Sequence, residues 1–350
     1  MLNIDDLIAH KGIPHTFEEY LTHYAPEIGE AINSFIPHAT HPDMDTYLYQ
    51  PLRTYSANGG KRHRPLICFI AARAVGGTAH CALSAAAAIE HFHTAALIHD
   101  DIADDAHLRR GLPCLHISEG LGLAINMGDL GLMLVNGTVI DDASLDDHTK
   151  VRVLSELITM TRLTIEGQAL DIGWARDNRY DLTIDDYLVM ATHKTAHYSG
   201  GVPLAIGAIV GKGTEKEIQG LRNFGLNTGL AFQIQDDLLN LIGKAESTKK
   251  GFRDDITEGK RTLMVVHALS ELPPSKKQQL IDILSSHTTD QSQLNAAVSL
   301  MQEADSINFA RRYAEQLTSK AKEEIADILE PSIHRDLLVS MADFFVNRLA

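Results

Sequence analysis

The sequence has little of what marks secreted or membrane-spanning proteins. Only three of its 350 residues are cysteines, at positions 68, 81 and 114, and they form neither a CxxC pair nor a disulfide framework. The first residues, MLNIDDLIAHKGIPH, lack the basic-then-apolar order of a signal peptide. We find no uninterrupted apolar run of the length that a bilayer span needs. The sequence therefore predicts a soluble, cytoplasmic protein with no transmembrane segment.

Positive charge is also scarce. The 31 Lys and Arg residues are outnumbered by 46 Asp and Glu residues, which gives a formal net charge of −15. This balance argues against general affinity for nucleic acid or for anionic membranes. An anionic substrate would have to be attracted locally, by clustered basic side chains or by metal ions held on carboxylates.

Alternating β-type runs are rare, whereas apolar residues recur at three- and four-residue spacing. Residues 79–105 contain neither Pro nor Gly, which favours one long helix there. Helix breaks are predicted at Gly111–Pro113, Gly200–Pro203, Gly211–Gly213 and Pro273–Pro274. Because no linker-like tract divides the chain, we expect an all-α fold with residues 1–350 in a single domain. A second small domain is the alternative.

An acidic cluster, HDDIADD, lies at the end of the long predicted helix. Asp100 and Asp104 are one turn apart on one helix face, as are Asp101 and Asp105. Like charges at this spacing destabilise an isolated helix, and a divalent cation such as Mg²⁺ would offset the repulsion. A solvated acidic helix end explains this cluster equally well when it is taken by itself.

A second acidic cluster, QIQDD, contains Asp236 and Asp237, with Gln233 and Asn240 about one turn to either side. A polar stripe on an otherwise apolar helix is costly to bury unless its groups are satisfied or bind a ligand. Helical bundles build metal sites from side chains on facing helices, so we expect the two acidic clusters to face one cavity. A satisfied polar stripe in the core is the alternative.

Basic residues accompany these clusters. Arg109 and Arg110 follow the first cluster, and guanidinium groups match phosphate oxygens. Lys61 and Arg64 lie in GGKRHRP, a glycine-led loop that enters a helix N-terminus, where backbone N–H groups favour an anion. A helix C-terminus carrying favourable cations would explain the two arginines but not the loop. The pattern predicts a phosphorylated substrate.

Six motifs occur in a fixed order between Gly59 and Thr262: GGKRHRP, HDDIADDAHLRRG, GQALD, KTA, FQIQDD and DITEGKRT. In content and order they resemble the motifs of the trans-isoprenyl diphosphate synthases, which include geranylgeranyl diphosphate synthases. The resemblance implies a large helical bundle around a central cavity, the isoprenoid synthase-type fold, usually as a homodimer. It also implies Mg²⁺-dependent, head-to-tail condensation of isopentenyl diphosphate with dimethylallyl, geranyl or farnesyl diphosphate, with release of pyrophosphate.

The resemblance further implies roles for individual residues. Three Mg²⁺ ions per active site would be held by Asp100, Asp101, Asp104, Asp236 and Asp237. Isopentenyl diphosphate would contact Lys61, Arg64, His93 and Arg110. The allylic diphosphate would contact Arg109, Lys194, Thr195, Gln233, Lys250 and Lys260. The residues expected to act in catalysis are Asp100, Asp104, Arg109, Lys194, Asp236 and Lys260. The sequence departs from the common family pattern at Asn240, where many members carry a third aspartate.

Product length is expected to depend on the residues below the first acidic cluster. Family members with short products carry bulky aromatic residues there, whereas this chain has Ala95 and Ala96. The two alanines would leave the cavity open, or they merely allow close helix packing. We expect geranylgeranyl diphosphate as the product, with a longer polyprenyl diphosphate as the alternative. A class I terpene cyclase and a regulatory subunit of a heteromeric synthase are further alternatives, but the chain has a second diphosphate motif and its metal carboxylates.

Overall fold

The structure is a computed structural model that describes residues 16–243 and 253–347. The helices up to residue 176 are α1 (Phe17–Asn33), α2 (Gln50–Ala57), α3 (His63–Ala74), α4 (Leu83–Ala103), α5 (Leu121–Ile140) and α6 (Asp147–Arg176). The later helices are α7 (Ile184–Ala191), α8 (Val202–Val210), α9 (Glu215–Ile242), α10 (Leu263–Glu271), α11 (Pro274–Ser285), α12 (Gln291–Glu303), α13 (Ser306–Ile325) and α14 (Ile333–Val346).

Shorter pieces connect these helices. Single helical turns and short segments occur at Pro42–Met44, Asp45–Tyr49, His80–Ala82, Leu115–Ser118, Thr192–Gly201 and Asp254–Thr257, of which the second and fifth are π-helical. Strands β1 (Leu108–Arg109) and β2 (Leu112–Pro113) form an antiparallel hairpin. Apart from this hairpin, the regular structure in the described residues is helical, so the prediction of an all-α fold is confirmed.

The chain divides into two compact units. Unit 1 consists of Met1–Thr161, Gly200–Arg222 and Ile325–Met341, and unit 2 consists of Arg162–Ser199, Asn223–Glu324 and Ala342–Ala350. The assignment of residues 1–350 to a single domain stays a prediction.

Helix α4 lies in the core of unit 1, where it packs against α5. Its sequence is rich in alanine, the residue with the highest helix propensity, and residues 85–89 are fully buried. The helix ends at Ala103, so the first acidic cluster lies at the C-terminal end of a firmly packed element.

The core of unit 2 is built from side chains of α7 and α9–α13. Leu238 of α9 and Leu263 of α10 are fully buried in it. The apolar side of α9 therefore packs into the core of unit 2. This packing fixes the orientation of the polar stripe that carries the second acidic cluster.

Two helical segments, His80–Ala103 and Leu121–Ile140, are long and apolar enough to cross a membrane by length and composition. Neither segment is an uninterrupted apolar run, because Glu90 and His91 lie inside the first and Asn126 and Asp129 lie inside the second. In the first segment, 72% of the apolar window is buried inside the protein, as in the core helix of a soluble fold. In the second segment the buried share is 44%.

Candidate active site

The first acidic cluster presents its carboxylates in two different environments. The backbone N–H of Asp104 donates to the carbonyl oxygen of Asp100 at 2.8 Å, so helical geometry keeps these two residues one turn apart. Both side chains are partly exposed. Asp101, the next residue along the helix, is only 1% exposed. Consecutive aspartates of one motif therefore have different surroundings.

Asp101 is the centre of a hydrogen-bond network. The Tyr55 hydroxyl donates to its Oδ2 at 2.7 Å, and Arg109 Nε donates to its Oδ1 at 2.8 Å. Arg109 Nη2 donates to the same Oδ1. Both carboxylate oxygens thus accept hydrogen bonds from the protein, and they fix the direction of the Arg109 guanidinium. The role of Asp101 as a metal ligand stays a prediction.

The protonation of this network follows from its burial and charge. Burial and the charge of Asp101 raise the pKa of Tyr55 well above its ordinary value, so the hydroxyl keeps the proton that it donates. Burial and the same carboxylate raise the pKa of Cys114 to about 12. Burial opposes the charge of Arg109, but the hydrogen bond and charge of Asp101 outweigh it and raise the arginine pKa. The network therefore contains one buried ion pair, between Asp101 and Arg109, and the neighbouring Tyr55 and Cys114 side chains stay neutral.

The glycine-led loop contacts the hairpin that follows the first cluster. Gly59 and Gly60 have φ values of 66° and 100°, in the left-handed region that favours glycine. Arg110 Nη1 donates to the carbonyl oxygens of Asn58 at 2.7 Å and Gly59 at 3.1 Å. A Cβ atom on Gly60 would lie 3.1 Å from the Arg110 guanidinium. The structure thus places Arg110 directly against the loop that carries Lys61.

The remaining predicted residues of this region lie in the loop before α3, at the start of α3 and on α4. Arg64 is buried at the start of α3, Lys61 is exposed, and His93 lies half-buried two turns before Asp100. Their contacts with isopentenyl diphosphate stay predictions.

The two alanines expected to govern product length differ in their packing. Ala95 is fully buried, and a Cβ atom on Gly131 of α5 would lie 3.0 Å from the Ala95 Cβ. Ala96 is half-buried. Ala95 therefore serves the close approach of α4 and α5, whereas a role in product length for either alanine stays a prediction.

The second acidic cluster, in unit 2, is also held by a hydrogen-bond chain. Thr195 Oγ1 donates to Gln233 Oε1 at 2.6 Å, and Gln233 Nε2 donates to Asp237 Oδ1 at 2.6 Å. The Tyr187 hydroxyl donates to Asp237 Oδ2 at 2.9 Å. Burial, followed by the charge of Asp255, raises the pKa of Asp237 to about 8, although the two hydrogen bonds act in the opposite sense. Asp236 is half-buried beside this chain.

Lys194 is held by a carboxylate that the sequence reading did not single out. Its Nζ donates to Asp171, which is buried on α6 and ends the GQALD motif. A Cβ atom on Gly167 of the same motif would overlap the backbone N of Lys194. Glycine therefore permits the backbones to touch, and Asp171 one turn later reaches the lysine. The sequence signal for Asp171 is its four-residue spacing from Gly167 in GQALD, which places both residues on one helix face.

Lys260 lies beside Asp255 and Glu258, with 3.3 Å between its Nζ and Asp255 Oδ1. Asn240 Oδ1 accepts the backbone N–H of Asp255 at 3.2 Å. The residue that departs from the family pattern thus anchors the helical turn that carries Asp255. Lys250 lies outside the described residues.

Mg²⁺ is bound in most proteins by one or two carboxylates together with waters and phosphate oxygens. The partly exposed pair Asp100 and Asp104 fits this donor set. In residues 16–243 and 253–347, no three His, Cys, Asp or Glu side chains are gathered in a way that would hold a metal ion by themselves. The expectation that the two acidic clusters face each other stays a prediction.

Each unit thus contains aspartates and anchored cations, Arg109 in unit 1 and Lys194 and Lys260 in unit 2. The family model for polyprenyl synthetase matches residues 45–301, and the chain belongs to the polyprenyl synthetase family. The predicted resemblance, the isoprenoid synthase-type fold and the prenyltransferase class are thereby confirmed.

Relatives from archaea and bacteria extend the match over most of the chain. The chain is 38% identical over 290 residues to a short chain isoprenyl diphosphate synthase of Methanothermobacter thermautotrophicus, covering 83% of this chain and 87% of that protein. It is similar to the crystal structure of a geranylgeranyl pyrophosphate synthetase from Pyrococcus horikoshii, with a TM-score of 0.86, 32% identity and coverage of 99% and 100%.

A third relative was solved with ligands. It is a geranylgeranyl pyrophosphate synthase from Corynebacterium glutamicum complexed with isoprenyl diphosphate and magnesium, with a TM-score of 0.83 and 27% identity. The match covers 93% of this chain and 99% of that one.

Proposed function

We propose that the protein condenses isopentenyl diphosphate head-to-tail with an allylic diphosphate and produces geranylgeranyl diphosphate. The observation that carries this proposal is that each described cation expected to act in catalysis is anchored by a carboxylate. Arg109 is anchored by Asp101, Lys194 by Asp171, and Lys260 by Asp255 together with Glu258. The match to geranylgeranyl-forming relatives supports the product assignment.

Anchored cations suit the chemistry of an allylic leaving group. As the carbon–oxygen bond breaks, the pyrophosphate gains negative charge, and donors held in place beforehand stabilise that charge without a reorganisation cost. The allylic carbon then bonds to the terminal alkene carbon of isopentenyl diphosphate. This bond leaves a tertiary cation on the adjacent carbon. Loss of a proton from the CH2 group next to that cation forms the new double bond, and the released pyrophosphate is the proposed acceptor.

The proposed cofactor is Mg²⁺, with three ions per active site. Asp100 and Asp104 would hold it in unit 1, with Asp101 behind them, and Asp236 would hold it in unit 2, with Asp237 beside it. When bound, Mg²⁺ would neutralise charge on the diphosphate.

The proposed second substrate site uses Lys61, Arg64, His93 and Arg110. The contact between Arg110 and the loop at Asn58 and Gly59 supports this grouping. A terpene cyclase would require no such second diphosphate site.

The proposed assembly is a homodimer, and the proposed location is the cytoplasm. Helix α5 exposes four large apolar side chains, Leu121, Ile125, Met133 and Ile140, which a second copy could cover. All three cysteines are free thiols, as is usual in a reducing compartment.

The test is a condensation assay with purified protein, Mg²⁺, isopentenyl diphosphate and allylic primers of increasing length, with products resolved by carbon number. We expect geranylgeranyl diphosphate to dominate, and we expect excess chelator to lower the rate by about a hundredfold or more, with recovery when Mg²⁺ is restored. Turnover that is undiminished in chelator would contradict the proposal. Cyclised hydrocarbon formed without isopentenyl diphosphate would instead identify a cyclase.

A further inference from the structure

A buried ion pair lies behind the glycine-led loop. Arg62 Nη1 and Glu90 Oε1 are 2.6 Å apart, and their side chains are 4% and 3% exposed. Arg62 Nη2 also donates to the carbonyl oxygen of Ser56 at the end of α2. Gly29 of α1 lies directly over this arginine, since a Cβ atom there would be 3.4 Å from Arg62 Nε. The pair joins the loop to α4, α2 and α1 inside unit 1.

The backbone of Arg62 is in an unusual conformation for a side-chain-bearing residue. Its φ and ψ are 53° and 30°, and it is the cap residue that opens α3. The left-handed region costs a non-glycine residue free energy unless surrounding contacts maintain it. The ion pair with Glu90 supplies such a contact, because it holds the side chain of the strained residue from inside the protein.

Glu90 also bears on the neighbouring arginine of the loop. Burial and the charge of Arg62 lower the pKa of Arg110, whereas the charge of Glu90 raises it. Glu90 Oε2 accepts no hydrogen bond within the described part of the chain. One buried carboxylate thus offsets the charge of two arginines, one of which lies against the backbone of Asn58 and Gly59.

We propose that Glu90 and Arg62 are positioning residues for isopentenyl diphosphate. In this inference, which rests on the proposed function, the ion pair locks the left-handed turn at Arg62 and lets Arg110 stay close to the same loop. Lys61 and Arg64, on either side of Arg62, are then presented to the diphosphate in one fixed geometry. Neither Glu90 nor Arg62 touches the substrate itself.

The test separates the two substrates by their Michaelis constants. Glu90→Gln keeps the shape of the side chain and removes its charge. We expect the KM for isopentenyl diphosphate to rise by about tenfold, because small displacements of positioning groups are costly. The KM for the allylic diphosphate should stay within about twofold, since Arg109 is anchored separately by Asp101. Glu90→Asp should restore part of the loss.

Glu90→Gln leaves Arg62 buried without its carboxylate partner, which could unfold the protein. Two further variants test the inference in that case. Arg62→Met combined with Glu90→Met removes both charges and should fold like the wild type, because apolar side chains of similar volume replace buried ion pairs well. Its KM for isopentenyl diphosphate should still be raised. Arg62→Lys keeps the charge but loses the planar fork, and an intermediate rise is expected.

Glu156→Gln is the matched control, since it breaks the two-pronged ion pair with Arg222 elsewhere in unit 1. This control should leave both Michaelis constants unchanged. A wild-type KM for isopentenyl diphosphate in the folded variants, or equal rises for both substrates, would overturn the inference. A wild-type protein that forms no condensation product would overturn the proposed function instead, so the two failures are distinguishable.

Discussion

Adjacent residues of one motif can have unlike surroundings, as Asp100 and Asp101 show. Successive positions on an α-helix differ by about 100° in direction. Asp100 is therefore partly exposed at the end of α4, whereas Asp101 points into the protein toward Tyr55 and Arg109. We therefore propose that Asp100 binds metal and that Asp101 orients Arg109, which is expected to contact the allylic diphosphate.

Substitution by asparagine separates these two roles. We expect Asp100→Asn to lower kcat by about a hundredfold, roughly 3 kcal/mol, and to raise the Mg²⁺ concentration needed for half-maximal rate. Asp101→Asn should lower the rate by about tenfold through a misdirected Arg109, with an unchanged Mg²⁺ requirement. Mg²⁺ titrations of both variants measure the difference. A raised requirement in Asp101→Asn as large as in Asp100→Asn would make Asp101 a metal ligand.

The sequence pointed to the charged residues of these clusters but not to all of their partners. Asp100, Asp104 and Arg109 belong to short motifs whose spacing is visible in the chain. Tyr55 lies 46 residues before the carboxylate that it contacts, and Asp171 lies 23 residues before Lys194. The spacing in GQALD marks Asp171 itself, but neither contact is visible in the sequence, because each depends on how separate helices pack.

At the scale of the elements, one predicted helix break proved wrong. Gly200–Pro203 was expected to interrupt the chain, but π-helical Thr192–Gly201 continues directly into α8. Proline lacks an N–H group and its ring crowds the carbonyl four residues earlier, so a wider π-type turn before Pro203 accommodates it. The other predicted breaks agree with the structure at the β1–β2 hairpin, at the end of α8 and at the start of α11.

The contact between α4 and α5 gives Ala95 and Ala96 different expected effects. Ala95→Phe would place a ring where Gly131 leaves room only for a methyl group, and we expect it to lower the free energy of unfolding by about 1–3 kcal/mol. Ala96→Phe, at a half-buried position, should fold normally and shift the products toward shorter chains. Denaturant unfolding and product analysis of both variants test this.

The control for this pair is the milder Ala96→Leu, which should shorten the products less than phenylalanine does. If Ala95→Phe is as stable as the wild type and makes shorter products, the packing assignment is wrong. If Ala96→Phe leaves the product distribution unchanged, the product-length role of that position is wrong.

At the scale of the whole molecule, the exposed apolar side chains of α5 are the surface that the proposed homodimer would use. At 100° per residue, Ile125, Met133 and Ile140 fall within about 80° of one another, and Met133 and Ile140 point away from Gly128 and Gly131, which face α4. Soluble monomers rarely expose a large contiguous apolar patch. In a two-fold symmetric dimer the same patch is used by both copies, so one helix face can satisfy itself.

Met133→Glu tests this surface at its most exposed large apolar residue, which is 67% exposed. The symmetry of a dimer would bring in two carboxylates at once, and we expect the dimer dissociation constant to rise by about a hundredfold, roughly 3 kcal/mol. The fold should persist, because the side chain is outside the core. Analytical ultracentrifugation over a concentration series measures the change. Val189→Glu, at a position of α7 that is 50% exposed, is the matched control and should leave association unaltered. A wild-type monomer, or a Met133→Glu dimer as tight as the wild type, would show that α5 is not the interface.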